Sequence, residues 1–477
     1  MRLGSVGLCG LLSLFILGLL PLRAESKDPA RAKAFKEIKK ILSSYGKNVG
    51  FSLRTLHGDD LLDVNPHGLF SPASVSKLVS TACTLDELGP DYRFKTQWAK
   101  TGSIENGVLM GNLVVVGGGD FSFVIEDLKM IVEQLRFVYG IKEIKGKLIF
   151  DTRYLQSPSV VPYTGFDGDR GRAFSAQITA VPIDHNAFSV WITPDNPKPR
   201  VEIIPNEAVD LKITNKLKLT GGRLGGSKSI LDYRPMYDKL IVSGKIGKWD
   251  PPKVYYRSPR KPYESFARLF KYNFEALGGK WKGDYKIEQN VPDTTPLLTH
   301  QSRTINRLLI DVNKLSTNFG AEMSLLAAAA SYFGLPTGPE KSKKLLAQCI
   351  KNFGIGEGDM LLENASGLSR DSKVKADSMT RFLSMMSKKD YWPEFLVTLS
   401  VLGLDGTTRS RLKDLAAKAR LKTGTLDGVR ALAGYIYPNS HDVWSMALFL
   451  SCKKCNLNAW NKDENKLLRL LIEKAGH

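Results

Sequence analysis

A β-rich stretch of roughly 190 residues divides this chain and restricts the folds open to it. Between about Tyr92 and Lys245, short runs alternate apolar and polar residues or are rich in β-branched ones. Before this stretch, at Ala30 to Leu42, apolar residues recur at the spacing of an α-helix. The same spacing returns after it, at Arg303 to Leu315 and Ala321 to Phe333. The chain then ends in strand, strand and helix patterns. Because an insertion would let an N-terminal hairpin and the C-terminal strands pair, we expect one α+β domain split by a β-rich one.

The first chemically informative segment is a Ser-x-x-Lys sequence from Ser74 to Lys77. Ser71 is predicted to be the N-cap of a helix and Pro72 fits its first position, which makes Ser74 the third helical residue. The Ser74 N–H is then an unpaired donor of the first turn and can stabilise an oxyanion. Lys77 lies on the same helix face, so its amine can approach the Ser74 hydroxyl.

Lys77 can accept a proton only when it is neutral, whereas a free lysine titrates near ~10.4. Burial and a second nearby cation would lower its pKa, and Lys422 is the candidate second cation. The pattern alone is weak evidence, because six copies occur in the chain. They start at Ser44, Ser74, Ser258, Ser372, Ser410 and Ser451. Only the copy at Ser74 combines a helix start with suitable downstream partners.

Ser316-Thr317-Asn318 is the only Ser-x-Asn sequence in the chain, and it lies between two helical patterns. The Ser316 hydroxyl can relay a proton between Lys77 and a leaving group. The Asn318 amide can hold Lys77 and a substrate carbonyl. The alternative is helix capping, for which Ser and Asn are well suited.

The Lys-Thr-Gly sequence occurs twice. The copy from Lys100 to Gly102 lies in a polar turn and is predicted to be a hairpin tip. The copy from Lys422 to Gly424 ends a strand pattern and is followed by Thr425. Lys422 and the two threonine hydroxyls can bind a substrate carboxylate. Gly424 would let the substrate backbone approach, and the Thr425 N–H is the second expected oxyanion donor.

No other catalytic chemistry has comparable support. The six histidines are scattered without the spacing of metal ligands, although Ser-His-Asp catalysis needs only proximity in space. The glycine run before Asp120 lacks the Lys-Ser/Thr and the helix start of a phosphate-binding loop. We expect neither a metal nor another cofactor.

In order and spacing, these motifs resemble those of the class C low-molecular-mass penicillin-binding proteins, which are D-alanyl-D-alanine carboxypeptidases and endopeptidases. Further segments are similar to the lead-in to the nucleophile, a glycine-rich turn and the loop before the last motif of that family. They are Phe70–Ser74, Val116–Asp120 and Asn364–Arg370.

The resemblance implies a fold, a domain order and residue roles. The fold is a transpeptidase/β-lactamase-like catalytic domain, an antiparallel sheet with helices plus a helical subdomain, at 25–97 and 295–477. A second domain is expected at 98–190 and 259–294, with a β-rich third domain nested at 191–258. In this family the expected roles are Ser74 as acylated nucleophile, Lys77 as base, Ser316 and Asn318 in proton relay and substrate holding, Lys422 and Thr423 on the carboxylate, and Ser366 and Gly367 lining the cleft.

The activity implied is that of a serine-type D-Ala-D-Ala carboxypeptidase and endopeptidase. It would act on peptidoglycan stem peptides and cross-links through an acyl-enzyme on Ser74, and β-lactams would acylate the same serine. Two alternatives remain: a β-lactamase or esterase on the same fold, and a catalytically idle protein that binds the cell wall.

The N-terminus predicts export. Arg2 precedes an almost wholly apolar run from Val6 to Leu20, and Ala24 offers a cleavage point, so residues 1–24 are expected to form a signal peptide. The run is short of the ~20 residues that span a bilayer, although a retained anchor is the alternative. We expect a periplasmic protein that is at most loosely associated with the membrane. The apolar C-terminal helix could contact a membrane, but packing on the catalytic sheet is expected.

Cysteine usage and charge fit this compartment. Cys452 and Cys455 form a lone C-x-x-C, for which a local disulfide is expected and two idle thiols are the alternative. The formal net charge is +20. A basic exported protein is attracted to anionic polymers and membrane surfaces, although a solvated basic surface explains most of these lysines. No nucleic-acid recognition motif is visible, so nucleic acid is not an expected partner.

Overall fold

The computed structural model describes residues 28–161, 171–225 and 228–475, so the predicted signal peptide lies outside the described residues. Helices concentrate on both sides of a long β-rich segment. The α-helices are Pro29–Ser43, Ser76–Leu88, Ile125–Glu133, Pro262–Ala276, Ile305–Lys314, Asn318–Phe333, Pro339–Asn352, Ala376–Met386, Trp392–Thr398 and Leu457–Arg469. No helix in this part of the chain combines the length and apolar character needed to cross a membrane.

A six-stranded antiparallel sheet, here called the central sheet, joins the two ends of the chain. Val49 pairs with Leu450 and Thr55 with Trp444, so the N-terminal hairpin adds to the C-terminal strands as expected. In spatial order its strands are Asp60–Val64, Val49–Thr55, Trp444–Ser451, Val429–Ile436, Ala419–Leu426 and Ser400–Val401.

Helices cover both faces of the central sheet. The first and last helices pack on one face through a shared apolar core that includes Ile38, Leu53, Leu432 and Leu467. The other face packs on helices that include Ala376–Met386. In the C-terminal helical segment Leu467, Leu468, Leu471 and Ile472 are buried, which confirms that this segment packs on the sheet.

The inserted segment begins with a five-stranded and a four-stranded sheet. Strands Lys95–Lys100 and Thr295–Gln301 are paired at the point where the chain leaves and re-enters the catalytic part. The five strands are Tyr285–Glu288, Leu148–Asp151, Leu113–Val116, Lys95–Lys100 and Thr295–Gln301, and the four are Lys280–Trp281, Glu143–Ile144, Val108–Leu109 and Ile104–Glu105.

Two three-stranded sheets share a separate small core within the insertion, built from residues such as Val190, Leu217 and Val242. The first sheet orders Arg200–Ile204, Phe188–Thr193 and Lys253–Arg257, and the second orders Lys212–Thr220, Lys239–Gly247 and Lys228–Arg234. The remaining strand pairs are Ser159–Val160 with Ile178–Thr179, and Met360–Leu361 with Lys373–Val374. The domain boundaries stay a prediction.

Two disulfides are formed in the described residues. Cys452 bonds to Cys455, the local bridge expected from the sequence. Cys83 of the helix Ser76–Leu88 bonds to Cys349 of Pro339–Asn352, a pair that the sequence pattern did not reveal. Because both of these cysteines are buried, the second bridge ties two core helices together.

Removing the Cys83–Cys349 bridge should destabilise the fold more than removing the local one. Its partners are 266 residues apart, against 3 for Cys452 and Cys455. A bridge that closes a longer loop restricts the unfolded chain more, by about 2–4 kcal/mol in typical proteins. We expect Cys83→Ala/Cys349→Ala to lower the free energy of unfolding in urea by that amount, and Cys452→Ala/Cys455→Ala by less. Equal losses would contradict this account.

Candidate active site

Ser74 lies in a tight turn before the buried helix Ser76–Leu88, not inside that helix. A 3₁₀ turn spans Ala73–Val75, and the Val75 N–H donates to the Pro72 carbonyl at 3.0 Å. The expected N-cap at Ser71 is therefore wrong: its hydroxyl is buried without a partner among the described residues. Ala73 has a φ of 45°, in the left-handed region. The chain therefore turns at Ala73, and the Ser71 side chain does not reach the N–H groups at the start of the helix. The Ser74 N–H donates to no carbonyl of the described residues, which keeps the donor available.

Gly367 locks this turn in place. Its φ is +74°, and a Cβ there would lie 1.8 Å from the Ala73 carbonyl oxygen. Only a glycine allows the two backbones to approach this closely. Gly367 therefore packs against the residue that precedes Ser74, and its role in lining the cleft stays a prediction.

Lys77 is fully buried and is the hub of the site. Its Nζ donates to Ser74 Oγ at 3.0 Å, to Asn318 Oδ1 at 2.8 Å and to the Ser366 carbonyl at 2.8 Å. Burial lowers the Lys77 pKa from 10.5 to about 7, against an opposing effect of Glu322. Of the two expected causes, burial is thus the main one. A lysine with this pKa is substantially neutral near neutral pH and can accept the Ser74 proton.

Glu322 is a site residue that sequence reasoning missed. It is buried in the helix Asn318–Phe333, and its carboxylate accepts from the N–H of Ser366 at 2.9 Å and of Ala365 at 3.3 Å. Burial raises its pKa. These bonds hold the Ser366 carbonyl against Lys77. A lone acid in an otherwise apolar, alanine-rich helix was the available signal.

Ser316 and Thr317 lie in the link between the helices Ile305–Lys314 and Asn318–Phe333, and Asn318 is the first residue of the second helix. Ser316 has a φ of 60°, a strained conformation for a residue other than glycine. Its Oγ accepts from Lys422 Nζ at 2.9 Å, so its bonded cation is Lys422 and not Lys77. Besides contacting Lys77, Asn318 donates from Nδ2 to the Phe174 carbonyl at 3.1 Å, which brings the inserted segment to the site.

Lys422 is the second fully buried lysine of the site. Its Nζ also donates to the Thr423 carbonyl at 2.8 Å. Burial, reinforced by the charge of Lys77, holds the Lys422 pKa well below its usual value. An incoming carboxylate would favour the charged form of Lys422.

The strand Ala419–Leu426 presents an open edge beside Ser316. On one side it pairs along its whole length with Val429–Ile436, whereas its other neighbour pairs only at Arg420 and Leu421. The Ala419 carbonyl accepts a hydrogen bond from the Leu402 N–H on this less-paired side of the strand. Backbone groups of every second residue in a strand point to the same side, so the N–H groups of Thr423 and Thr425 also face this edge. An extended peptide could pair there, with Thr425 exposed at its end.

Two residues of the last motif make contacts that the sequence did not predict. A Cβ on Gly424 would lie 2.7 Å from the Pro72 carbonyl oxygen, so Gly424 accommodates the turn that holds Ser74. Its expected role toward a substrate backbone stays a prediction. The Thr423 Oγ1 hydrogen-bonds to Thr407 Oγ1 at 2.8 Å. Thr407, in an exposed 3₁₀ turn, had no signal in the sequence that linked it to the site. Ser366 is fully buried and contributes its carbonyl, not its side chain, to Lys77.

A cavity of 580 Å³ continues from the middle motif toward the inserted segment. Its lining is mostly apolar and includes Phe174, Phe188 and Tyr256 of the insertion beside Ser316 and Asn318. The cavity therefore joins the middle motif to the inserted segment and leaves space beside Ser316 and Asn318.

The pKa of Lys77 predicts how acylation depends on pH. Lys77 must be deprotonated to act as a base, so the rate constant for acylation by a penicillin should rise with pH through about 7 and then level off. Stopped-flow measurement across this range gives the midpoint. A flat profile, or a midpoint near the ordinary lysine value, would contradict the assignment. Because the charge of Glu322 raises the Lys77 pKa, Glu322→Gln should move the midpoint to lower pH.

The family model described as D-Ala-D-Ala carboxypeptidase 3 (S13) matches residues 36–468. This chain belongs to that family. The match confirms the predicted family and the predicted class of serine peptidase. Ser74, Lys77 and Lys422 all lie within the matched residues, although their individual roles stay predictions.

Relatives and solved structures agree with this membership. The chain is 26% identical over 448 residues to D-alanyl-D-alanine carboxypeptidase of Actinomadura sp. (strain R39), covering 89% of this chain and 82% of the relative. It is 24% identical over 400 residues to D-alanyl-D-alanine carboxypeptidase DacB of Haemophilus influenzae, covering 82% of each. Penicillin binding protein 4 of H. influenzae superposes with a TM-score of 0.78 at 22% identity, over 92% of this chain and 98% of that one. This likeness confirms the α+β penicillin-binding fold.

Proposed function

We propose that this family member is a periplasmic enzyme that cleaves the D-Ala-D-Ala bond of peptidoglycan stem peptides, and D-Ala-linked cross-bridges, through an acyl-enzyme on Ser74. The observation that carries the proposal is the bond from Lys77 Nζ to Ser74 Oγ at 3.0 Å, made by a lysine whose burial lowers its pKa to about 7. This pair supplies a nucleophile and a neutral base in contact.

Acylation follows from the contacts of these residues. The Ser74 Oγ attacks the carbonyl carbon of the penultimate D-Ala while Lys77 takes its proton. The N–H groups of Ser74 and Thr425 donate hydrogen bonds to the developing oxyanion. Lys77 then passes the Ser74 proton, through the Ser316 hydroxyl that Lys422 holds, to the nitrogen of the departing amine. The C–N bond breaks, the terminal D-Ala leaves, and Lys77 is neutral again. Lys422, Thr423 and its partner Thr407 would bind the carboxylate of the leaving residue.

Water completes the cycle. It attacks the ester on Ser74, Lys77 again acts as the base, and the shortened stem peptide is released with Ser74 restored. In a cross-link the leaving amine belongs to another stem peptide rather than to free D-Ala. The cavity lined by Phe174 gives room for such a larger leaving group, which supports endopeptidase action.

β-Lactams are proposed as covalent inhibitors, because their carbonyl and carboxylate would occupy the positions of the D-Ala-D-Ala peptide. The complex of H. influenzae penicillin binding protein 4 with a β-lactam supports this step by likeness of fold. Export to the periplasm is proposed from the apolar N-terminal run of the sequence and is supported by two disulfides, which form in oxidising compartments.

The test is mass analysis of muropeptides after incubation with the purified protein. We expect pentapeptide stems to lose one D-Ala and cross-linked dimers to give monomers. Dimers left intact while pentapeptides are trimmed would restrict the activity to carboxypeptidase action. No change in either would contradict the proposal and support an idle wall-binding protein.

A further inference from the structure

We propose that the outer face of the nested β-domain docks on an anionic lipid bilayer. The sheet formed by Lys212–Thr220, Lys239–Gly247 and Lys228–Arg234 covers the small core with one face only. Among the side chains that the structure describes, six cations lie on its other face, here called the basic face. They are Lys212, Lys216, Lys218, Lys239, Lys245 and Arg234.

The strand register stacks like charges in rows across the basic face. Lys218 lies directly opposite Lys245, and Lys239 lies between Lys212 and Arg234. Among the described residues of this face Asp232 is the only acid, and it pairs with Arg234 at 2.9 Å. Like charges directly opposite one another destabilise a sheet, so the arrangement is costly for folding and points to an anionic partner.

Protection of a sheet edge does not account for these rows. Lysines on an edge strand commonly prevent pairing between molecules, and Lys212–Thr220 is an edge strand. Lys239 and Lys245, however, belong to the central strand of this sheet. Their position calls for a partner that covers the whole face.

Apolar side chains extend from one end of the basic face. The loops that follow Thr220 and Gly247 are joined by bonds from Lys248 N to Thr220 O and from Trp249 N to Gly222 O. Together they expose Trp249 (66%) and Leu224 (43%).

Cations flank these apolar side chains. The Lys248 Nζ lies 5.2 Å from the centre of the Trp249 ring, and Arg223 is exposed in the same loops. The nearby acid, Asp250, is buried and accepts from Gly247 and Leu224 N–H groups. We call Arg223, Leu224, Lys248 and Trp249 the Trp249 tip.

The basic face and the Trp249 tip together favour a bilayer, rather than a dissolved anionic polymer, as the partner. Phosphates of either partner would satisfy the lysines, but only a bilayer also provides an interface into which Trp and Leu side chains insert beside cations. Each lysine near an anionic bilayer surface strengthens binding several-fold. The basic face and the Trp249 tip would then contact the membrane together.

Sedimentation with vesicles tests the proposal. The full protein should bind vesicles of phosphatidylglycerol mixed with phosphatidylcholine, release them at high salt, and ignore phosphatidylcholine alone. Replacing Lys212, Lys216, Lys218 and Lys245 by Gln should weaken binding at least about a hundredfold. The matched control replaces four lysines of the first helix, Lys33, Lys36, Lys39 and Lys40, by Gln and should bind nearly as the wild type does. All variants carry the same N-terminus, so any contribution of residues 1–27 cancels.

A second pair of variants tests the Trp249 tip. Trp249→Ala should weaken vesicle binding about tenfold, because the buried apolar area is lost. Phe137→Ala is the control: Phe137 is 69% exposed and lies beneath Arg136, but it belongs to another surface. The lysine variant should unfold at the same or a higher temperature, since like charges have been removed. Equal losses from both lysine sets, equal binding to neutral vesicles, or binding to soluble polyphosphate without vesicle binding would each overturn the proposal.

Discussion

Ser74→Ala should abolish covalent labelling by a fluorescent penicillin and reduce D-Ala release by a factor on the order of 10⁴ or more. The reason is direct, since Ser74 Oγ is the hydroxyl in contact with Lys77 Nζ at 3.0 Å. Removal of a nucleophile ends covalent catalysis, whereas groups that only bind substrate remain. Gel fluorescence measures labelling, and release of D-Ala from a pentapeptide measures turnover.

Ser76→Ala is the matched control for this variant. Ser76 lies two residues further on, is also buried, and its hydroxyl has no partner among the described residues. We expect labelling within a few-fold of wild type, because no contact with Lys77 is lost. If labelling survives in Ser74→Ala, or disappears equally in both variants, the assignment of the nucleophile is wrong. Rapid steady hydrolysis of a chromogenic cephalosporin by the wild type would instead favour a β-lactamase.

Gly367→Ala should have the second largest effect, and it acts through packing rather than chemistry. The new Cβ would lie 1.8 Å from the Ala73 carbonyl oxygen and would need a left-handed φ of +74°. The backbone cost is about 1–2 kcal/mol, and displacement of the Ala73 turn adds about 1–3 kcal/mol. We expect a loss of unfolding free energy of about 3 kcal/mol and a fall in acylation of at least about a hundredfold, because Ser74 is displaced from Lys77.

Gly354→Ala separates the two causes. Gly354 has nearly the same φ, +71°, but nothing lies within 4 Å of the position of its added Cβ. This variant should lose only the backbone contribution and should acylate normally. Urea unfolding and the penicillin acylation rate are measured for both variants. Similar behaviour of the two would show that contact with Ala73 has no role in positioning Ser74.

Much of the candidate site could be predicted because its chemistry requires particular residue types that are visible in the sequence. Ser74, Lys77, Ser316, Asn318 and Lys422 are the groups that acyl transfer needs, and their order along the chain separates them from decoys elsewhere. The structure brings them into two hydrogen-bonded groups, in which Lys77 contacts Ser74 and Asn318 while Lys422 contacts Ser316.

Residues that act through their surroundings could not be predicted in this way. Glu322 acts by accepting backbone N–H groups 43 and 44 positions away, and Phe174 accepts from Asn318 through its backbone carbonyl. Neither contribution depends on a recognisable side-chain pattern. The expected cap at Ser71 was wrong for a related reason: local preference favoured it, but the left-handed Ala73 beside Gly367 redirected the turn.

The sequence by itself determined the family and predicted the β-rich insertion and a candidate set of reacting groups, because side-chain chemistry and hydrophobic period are local properties of a linear chain. The tertiary structure alone decided how those groups are tuned. It buried Lys77, chose Lys422 as the partner of Ser316, joined Cys83 to Cys349, and aligned the lysines of the basic face. These outcomes depend on which distant segments meet and how much water they exclude, and both are set only when the chain has packed.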